Sequence, residues 1–264
     1  MVKEIDFSTG KLKIEDVDLE ESKKVREHWE KGTTPFENDD QKFVDWFDTS
    51  DTFEKSWKTG QVDFHNRILT PEMLFSIGEP FDKKSLEIGF GGGRLLNAAA
   101  QIFDHAYGVD IHSSFDKVSS LLQEKGRKNF TLLKQDMLSS LPDKSIDFCY
   151  SFIVFQHFDS IKTHNYYLDQ IKRVLKPTGC GIIYMGMAPD NTTEDYAFTG
   201  FDNIAGKGHG GNSTLFLNPQ YAVQEFSKRF DLFQAGRFTK KPWVRPETEN
   251  LSSQFFITFK SKGT

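Results

Sequence analysis

From residue 84 the sequence alternates short apolar runs with longer amphipathic ones, and few architectures accept that rhythm. SLEIG (85–89) reads as a strand and RLLNAAAQIF (94–103) as a helix. AYGVDIH (106–112) is a second strand, and SFDKVSSLLQEKG (114–126) a second helix with Gly126 as its stop. FTLLKQD (130–136) and SIDFCYSFI (145–153) are strands three and four. A helix over about 160–175 ends before Pro177-Thr178-Gly179, and CGIIYMGM (180–187) is strand five. Strand–helix units at this spacing build a parallel sheet with helices on both faces. After a stretch (188–217) poor in regular pattern come a helix near 219–230 and strands at 231–238 and 252–260. The link between these two strands is too short for a crossover helix, so they should pair antiparallel. The expected fold is α/β: a doubly wound, seven-stranded, mostly parallel sheet closed by a C-terminal antiparallel hairpin.

Residues 1–80 have a different texture. They carry 19 Asp and Glu against 11 Lys and Arg, and ten of the 37 aromatic residues. Helical patterns run over 19–31 and 39–48, where Phe43, Trp46 and Phe47 recur at i, i+3, i+4. This segment reads as an N-terminal helical cap on a domain spanning 81–264. Binding to nucleic acid needs a basic face, which this acidic third opposes, so no nucleic-acid partner is expected. No apolar run nears the ~20 residues that cross a bilayer, and the first residues hold no apolar leader. Cys149 and Cys180 make no C-x-x-C pair, which points to a reducing cytoplasm. No H-x-x-H, D-x-D-x-D or cysteine cluster marks a metal site.

The most informative local feature is Glu87-x-Gly89-x-Gly91-x-Gly93, placed directly after the first strand. Glycines let the backbone turn tightly and approach a ligand, and strand carboxyl ends are where such sheets bind ligands. Arg94 stands where the dinucleotide fingerprint G-x-G-x-x-G needs its last glycine, and no G-K-[ST] follows to make a P-loop. Asp110 ends the second strand and Asp136 the third. One carboxylate can accept from both hydroxyls of a vicinal diol, and another can accept from an exocyclic amine. The plainer alternatives are a ligand-free turn at the glycines, Asp110 as a helix cap and Asp136 as a turn residue.

The ordered set of EIGFGGG, Asp110, Asp136-Met137, SFIVFQHF and IKRVLKPTGCGIIYMG resembles the class I S-adenosylmethionine-dependent methyltransferases of the small-molecule type. It does so well over 81–190, and by topology only over 219–260. The resemblance implies S-adenosylmethionine as cofactor. Glu87, Gly89 and Gly91 would line its methionine end and Asp110 its ribose, with Ile111 beside the adenine. Asp136 would meet the adenine amino group, Met137 would pack near the ring, and Ser151 and Phe152 would lie beneath the sulfonium.

Loops after strands four, five and six should overhang the same sheet edge. They supply His157 as a candidate general base, since an imidazole titrates near neutrality. His209 lies in a glycine-rich loop (GKGHGGNSTLF), within the 188–217 insertion on the substrate side. Lys240, Lys241, Trp243 and Arg245 form a cationic tip suited to an anionic group. Trp57, Phe64, His65 and Arg67 of the cap would join them. The expected activity is methyl transfer to a small molecule, with oxygen slightly preferred as acceptor on the strength of His157. A non-catalytic regulatory binder of S-adenosylmethionine and a protein or RNA methyltransferase are the alternatives.

Overall fold

A computed structural model describes residues 19–32, 34–36, 38–48, 53–188, 195–198, 213–239 and 251–263. Among them, helices precede the first strand: α1 (Leu19–Lys31), α2 (Asp40–Asp48), α3 (Phe53–Asp63), a π-helical turn (Phe64–Ile68) and α4 (Pro71–Ile77). The sequence reading found α1 and α2 but neither α3 nor α4. α4 is locally encoded all the same: the Thr70 side chain accepts from the Met73 N–H at 3.4 Å, and Pro71 opens the first turn. Gly78, at φ 70°, ends it.

Seven strands form one sheet in the order β3-β2-β1-β4-β5-β9-β8. They are β1 (Lys84–Ile88), β2 (His105–Asp110), β3 (Phe130–Lys134), β4 (Ile146–Ser151), β5 (Leu175–Gly186), β8 (Phe230–Thr239) and β9 (Leu251–Ser261). The seven-stranded, mostly parallel expectation holds, and β8 and β9 pair antiparallel. Two corrections follow. β5 begins at Leu175, five residues before its apolar run. The stretch read as patternless contains β6 (Tyr196–Phe198) and β7 (Leu215–Leu217), an antiparallel pair too short to show a period.

The chain divides into two compact units. One comprises residues 27–150, 173–181 and 263–264. In it β1 pairs parallel with β2 (Glu87 opposite Gly108) and with β4 (Glu87 opposite Tyr150), and β2 pairs parallel with β3. Leu86, Ile88, Ile146 and Phe148 are buried, as expected of parallel strands covered on both faces. Asp147 accepts from the Lys84 N–H at 2.9 Å and from Lys176 Nζ at 2.8 Å, tying the starts of β1, β4 and β5 together. α5 (Arg94–Ala99) and α6 (Phe115–Glu124) follow β1 and β2, α6 reaching Gly126, whose φ of 78° makes it the expected stop.

The other unit comprises residues 1–26, 151–172 and 182–262. Its core joins Phe226, Phe230 and Phe259, with ring centroids 4.4–6.0 Å apart. Phe158 stacks on Tyr167, from α7 (Ile161–Val174), at 4.8 Å. α8 (Pro219–Ser227) starts on Asn218, whose side chain accepts from the Gln220 N–H at 2.9 Å.

α3 reaches α5 through Gly60. A Cβ there would stand 2.6 Å from the Arg94 carbonyl oxygen, a backbone atom that cannot swing aside. Gly60→Ala would stabilise an isolated helix by about 1 kcal/mol. Here the clash should reverse the sign, with a loss of about 1–3 kcal/mol in urea unfolding.

Candidate functional site

The strand order reverses at β1, which has β2 on one side and β4 on the other. Ligands of open α/β sheets bind outside the strand carboxyl ends at such a switch point. β1 leaves the sheet there through Gly89, Gly91 and Gly93, whose φ values of 79°, 49° and 85° are left-handed. That backbone accounts for the alternate-glycine spacing. Gly93 also admits α6, since a Cβ on it would lie 2.9 Å from Val118 Cγ1.

The loop is held from both sides by the end of β2. Asp110 Oδ2 accepts from the Gly91 N–H at 2.8 Å, and Oδ1 accepts from the Ile111 N–H at 2.7 Å. His112 is 0% exposed. Its Nδ1 accepts from the Ser114 N–H at 3.1 Å, which leaves the ring proton on Nε2 to donate to the Gly91 carbonyl at 3.1 Å. Each Asp110 oxygen keeps a further lone-pair direction, so a diol can still be accepted. These acceptor oxygens fit the two hydroxyls of a ribose.

Residues before β1 close over this loop. The Phe47 ring occupies the space of a Gly91 Cβ, 2.9 Å from that position, and lies 5.3 Å from the His112 ring. Ser113 Oγ donates to the Glu30 carbonyl at 2.9 Å, and Lys117 pairs with Asp40. Asp63 accepts from Arg94 at 2.8 Å and pairs with Arg67 at 2.9 Å, all three largely buried.

Glu87 is 2% exposed and accepts from the Tyr150 hydroxyl at 3.0 Å. Burial raises its pKa to about 8; the Tyr150 hydrogen bond and the Arg94 charge pull the other way, and Asp110 adds to the rise. Burial also lifts the Tyr150 hydroxyl well above its ordinary value. The Phe64 ring covers Tyr150 at 5.4 Å.

The remaining sequence candidates scatter. Asp110 and Asp136 do stand at adjacent strand ends, since Asp110 lies opposite Lys134 in the register. Asp136 is exposed and Met137 is 49% exposed, on the turn after β3; Ile111 is half-buried. Ser151 and Phe152 are buried where β4 ends, Phe152 against Tyr184 at 4.9 Å. Ile153 follows at φ 60°, a strained value for a β-branched residue. His157 closes the 3-10 turn Phe155–His157 and is half-buried. Trp57, Phe64 and Arg67 are turned into packing or ion pairing, whereas His65 is exposed, so these four do not make one surface. His209, Lys240, Lys241, Trp243 and Arg245 lie outside the described residues. Sequence reasoning missed His112, Phe47, Asp63 and Tyr150. Only Phe47 carried a signal, as part of the i, i+3, i+4 aromatic stripe.

An acid whose folded-state pKa is raised holds its proton more tightly folded than unfolded. Its contribution to stability is whole below its ordinary value of about 4.5 and is lost as pH rises toward 8. Glu87→Gln keeps an acceptor for Tyr150 and has nothing to ionise. Its stability relative to the wild type should rise between pH 5 and 8 by about 3 kcal/mol, followed by urea unfolding at each pH.

A family model described as a methyltransferase domain matches residues 86–183. No curated protein matches the sequence. Among solved structures, one similar chain is a 1,6-didemethyltoxoflavin-N1-methyltransferase of Burkholderia thailandensis with 1,6-didemethyltoxoflavin and S-adenosylhomocysteine bound. It is 14% identical at a TM-score of 0.61, over 95% of this chain and 94% of its own. A SAM-dependent methyltransferase of Aquifex aeolicus is 14% identical at 0.51, over 78% and 96%. A [4+2]-cyclase is 11% identical at 0.51, over 72% and 79%. Likeness at these identities shows a shared fold. The glycine loop and both acidic strand ends, Asp110 and Asp136, fall inside the segment that this family model matches.

Proposed function

We propose that the chain is an S-adenosylmethionine-dependent methyltransferase with a small-molecule acceptor, residues 1–80 serving as its cap. The observation that carries this reading is the loop between β1 and α5, held by Asp110, inside the segment that matches the methyltransferase model. In this reading Glu87, Gly89 and Gly91 face the methionine end of the cofactor and Asp110 the ribose hydroxyls. Ile111 and Met137 flank the adenine, Asp136 accepts from its amino group, and Ser151 and Phe152 lie beneath the sulfonium. When bound, the cofactor supplies a methyl group on a positively charged sulfur. The residues of this chain orient it and exclude water, and alignment with the acceptor carries most of the rate. Burial favours the protonated form of Glu87, and beside a cationic ligand it would give up its proton. The relative crystallised with a toxoflavin precursor favours a small heterocycle as acceptor class, and its name specifies nitrogen for that enzyme. An oxygen acceptor would rest on His157 as general base.

Asp110→Ala should weaken S-adenosylmethionine binding roughly 10- to 150-fold, the worth of a hydrogen bond to a charged group, as measured by calorimetry on folded protein. Unchanged affinity would remove the ribose role, and tighter binding of NAD would overturn the whole reading. For His157, single-turnover rates of wild type and His157→Asn from pH 6 to 9 decide the matter. A general base should cost about 10²- to 10⁴-fold, and equal rates would take His157 out of the chemistry.

A non-catalytic binder is the second reading, favoured by Phe47 sitting on the glycine loop. Transfer of radiolabelled methyl to any metabolite fraction decides against it.

A further inference from the structure

The loop after β4 and the start of β9 hold a polar pair that the proposed function has not used. Gln254 is 9% exposed; its Nε2 donates to Gln156 Oε1 at 2.8 Å, and its own Oε1 is buried with no hydrogen-bond partner among the described residues. In this orientation the unpaired end of Gln254 is an acceptor; exchanging the two ends of both amides would leave a donor unpaired in its place. A buried amide oxygen left unpaired is unfavourable and uncommon, so a fold that retains one has a reason for it.

The surrounding backbone is shaped for this pair. Arg237 lies opposite Phe255 and Thr239 opposite Leu251, so the register shifts there and residues 252–254 face the single residue 238. Such interruptions of the ladder gather beside binding sites. Gln156 is fixed in its turn: the Thr214 N–H donates to the Gln156 carbonyl at 2.7 Å, and Thr214 Oγ1 donates to the Phe158 carbonyl at 2.8 Å. At the carboxyl end of β5, Gly186 makes room for it, since a Cβ there would stand 3.0 Å from Gln156 Cβ. Aromatic rings adjoin along the same strands, Tyr184 lying 4.9 Å from Phe152 and 5.5 Å from Phe256. Gln156 follows the carboxyl end of β4, Gly186 is the last residue of β5, and Gln254 lies near the start of antiparallel β9, at the edge where such sheets take ligands.

We infer that Gln254, held by Gln156, is a recognition site for a neutral, planar ligand that presents an N–H donor, a lactam or cyclic amide edge. The aromatic rings supply the apolar walls and Gln254 Oε1 the one directional contact. Such a site rejects analogues lacking the donor, because the amide oxygen is then left unpaired. Identifying this ligand with the methyl acceptor rests on the function proposed above; the site itself does not.

The test uses the full chain and two probes: 2-pyridone, with an N–H beside its carbonyl, and N-methyl-2-pyridone, which lacks the donor. Side-chain amide resonances of Gln254, assigned by their loss in Gln254→Leu, are followed with and without S-adenosylhomocysteine, whose own affinity reports separately on the methyltransferase reading. 2-Pyridone should shift the Gln254 resonances and bind about tenfold more tightly than its N-methyl analogue. Gln254→Leu should abolish that preference, while Gln254→Glu, which keeps an acceptor oxygen, should retain it. The wild-type titration needs no variant to fold. Equal affinity for the two probes, or Gln254 resonances unmoved at saturating 2-pyridone, overturns the proposal.

Discussion

The backbone of Gly91 is the point on which the loop between β1 and α5 depends. Its N–H is taken by Asp110 and its carbonyl by His112, two residues of one short segment leaving β2. A loop with three left-handed glycines has a large conformational entropy to lose, and without external bonds it would sample many turns. Two hydrogen bonds from the neighbouring strand end select one. The same bonds fix the Asp110 carboxylate at the carboxyl edge of the sheet, so placing the loop and placing that carboxylate are a single structural event.

Beneath that loop lies a costly arrangement. Glu87 stands in the middle of a covered parallel sheet, and Tyr150 on the adjacent strand satisfies one of its oxygens. Burying an ionised carboxylate is more expensive than burying its neutral form, so the fold keeps the proton. Nearby, Asp63 is shared by Arg67 and Arg94, so the helices that precede β1 meet the start of α5 through charge as well as through Gly60. Acidic residues in the segment before β1 have a defined use here: Asp40 holds Lys117 and Asp63 holds two arginines.

Where a residue's role follows from local chemistry, the sequence displayed it. The seven strands, the glycine turn and the Gly126 stop come from patterns two to four residues long. The antiparallel closing pair follows from a loop too short to cross over. His112 was illegible because its role depends on Gly91, which β1 delivers from 21 positions away. Tyr150 needed the register that sets it opposite Glu87. Phe64 and Arg67 looked like site residues because aromatic and cationic side chains suit ligands, yet a π-helical turn directs one into the core and the other onto Asp63. β6 and β7 escaped notice because three residues cannot display a period of two.

Fold and reaction separate in this family of shapes, as the likeness to a [4+2]-cyclase makes plain. The strand ends around the glycine loop are shaped by backbone bonds and left-handed glycines, and these are indifferent to what happens at a reacting atom. Discrimination among reactions must come from positions that break the regular pattern. In this chain two such places are the strained Ile153 after β4 and the register shift of β9 opposite residue 238, beside the buried Gln254. Regular strand would have been easier to build at both, and there this fold departs from a plain doubly wound sheet.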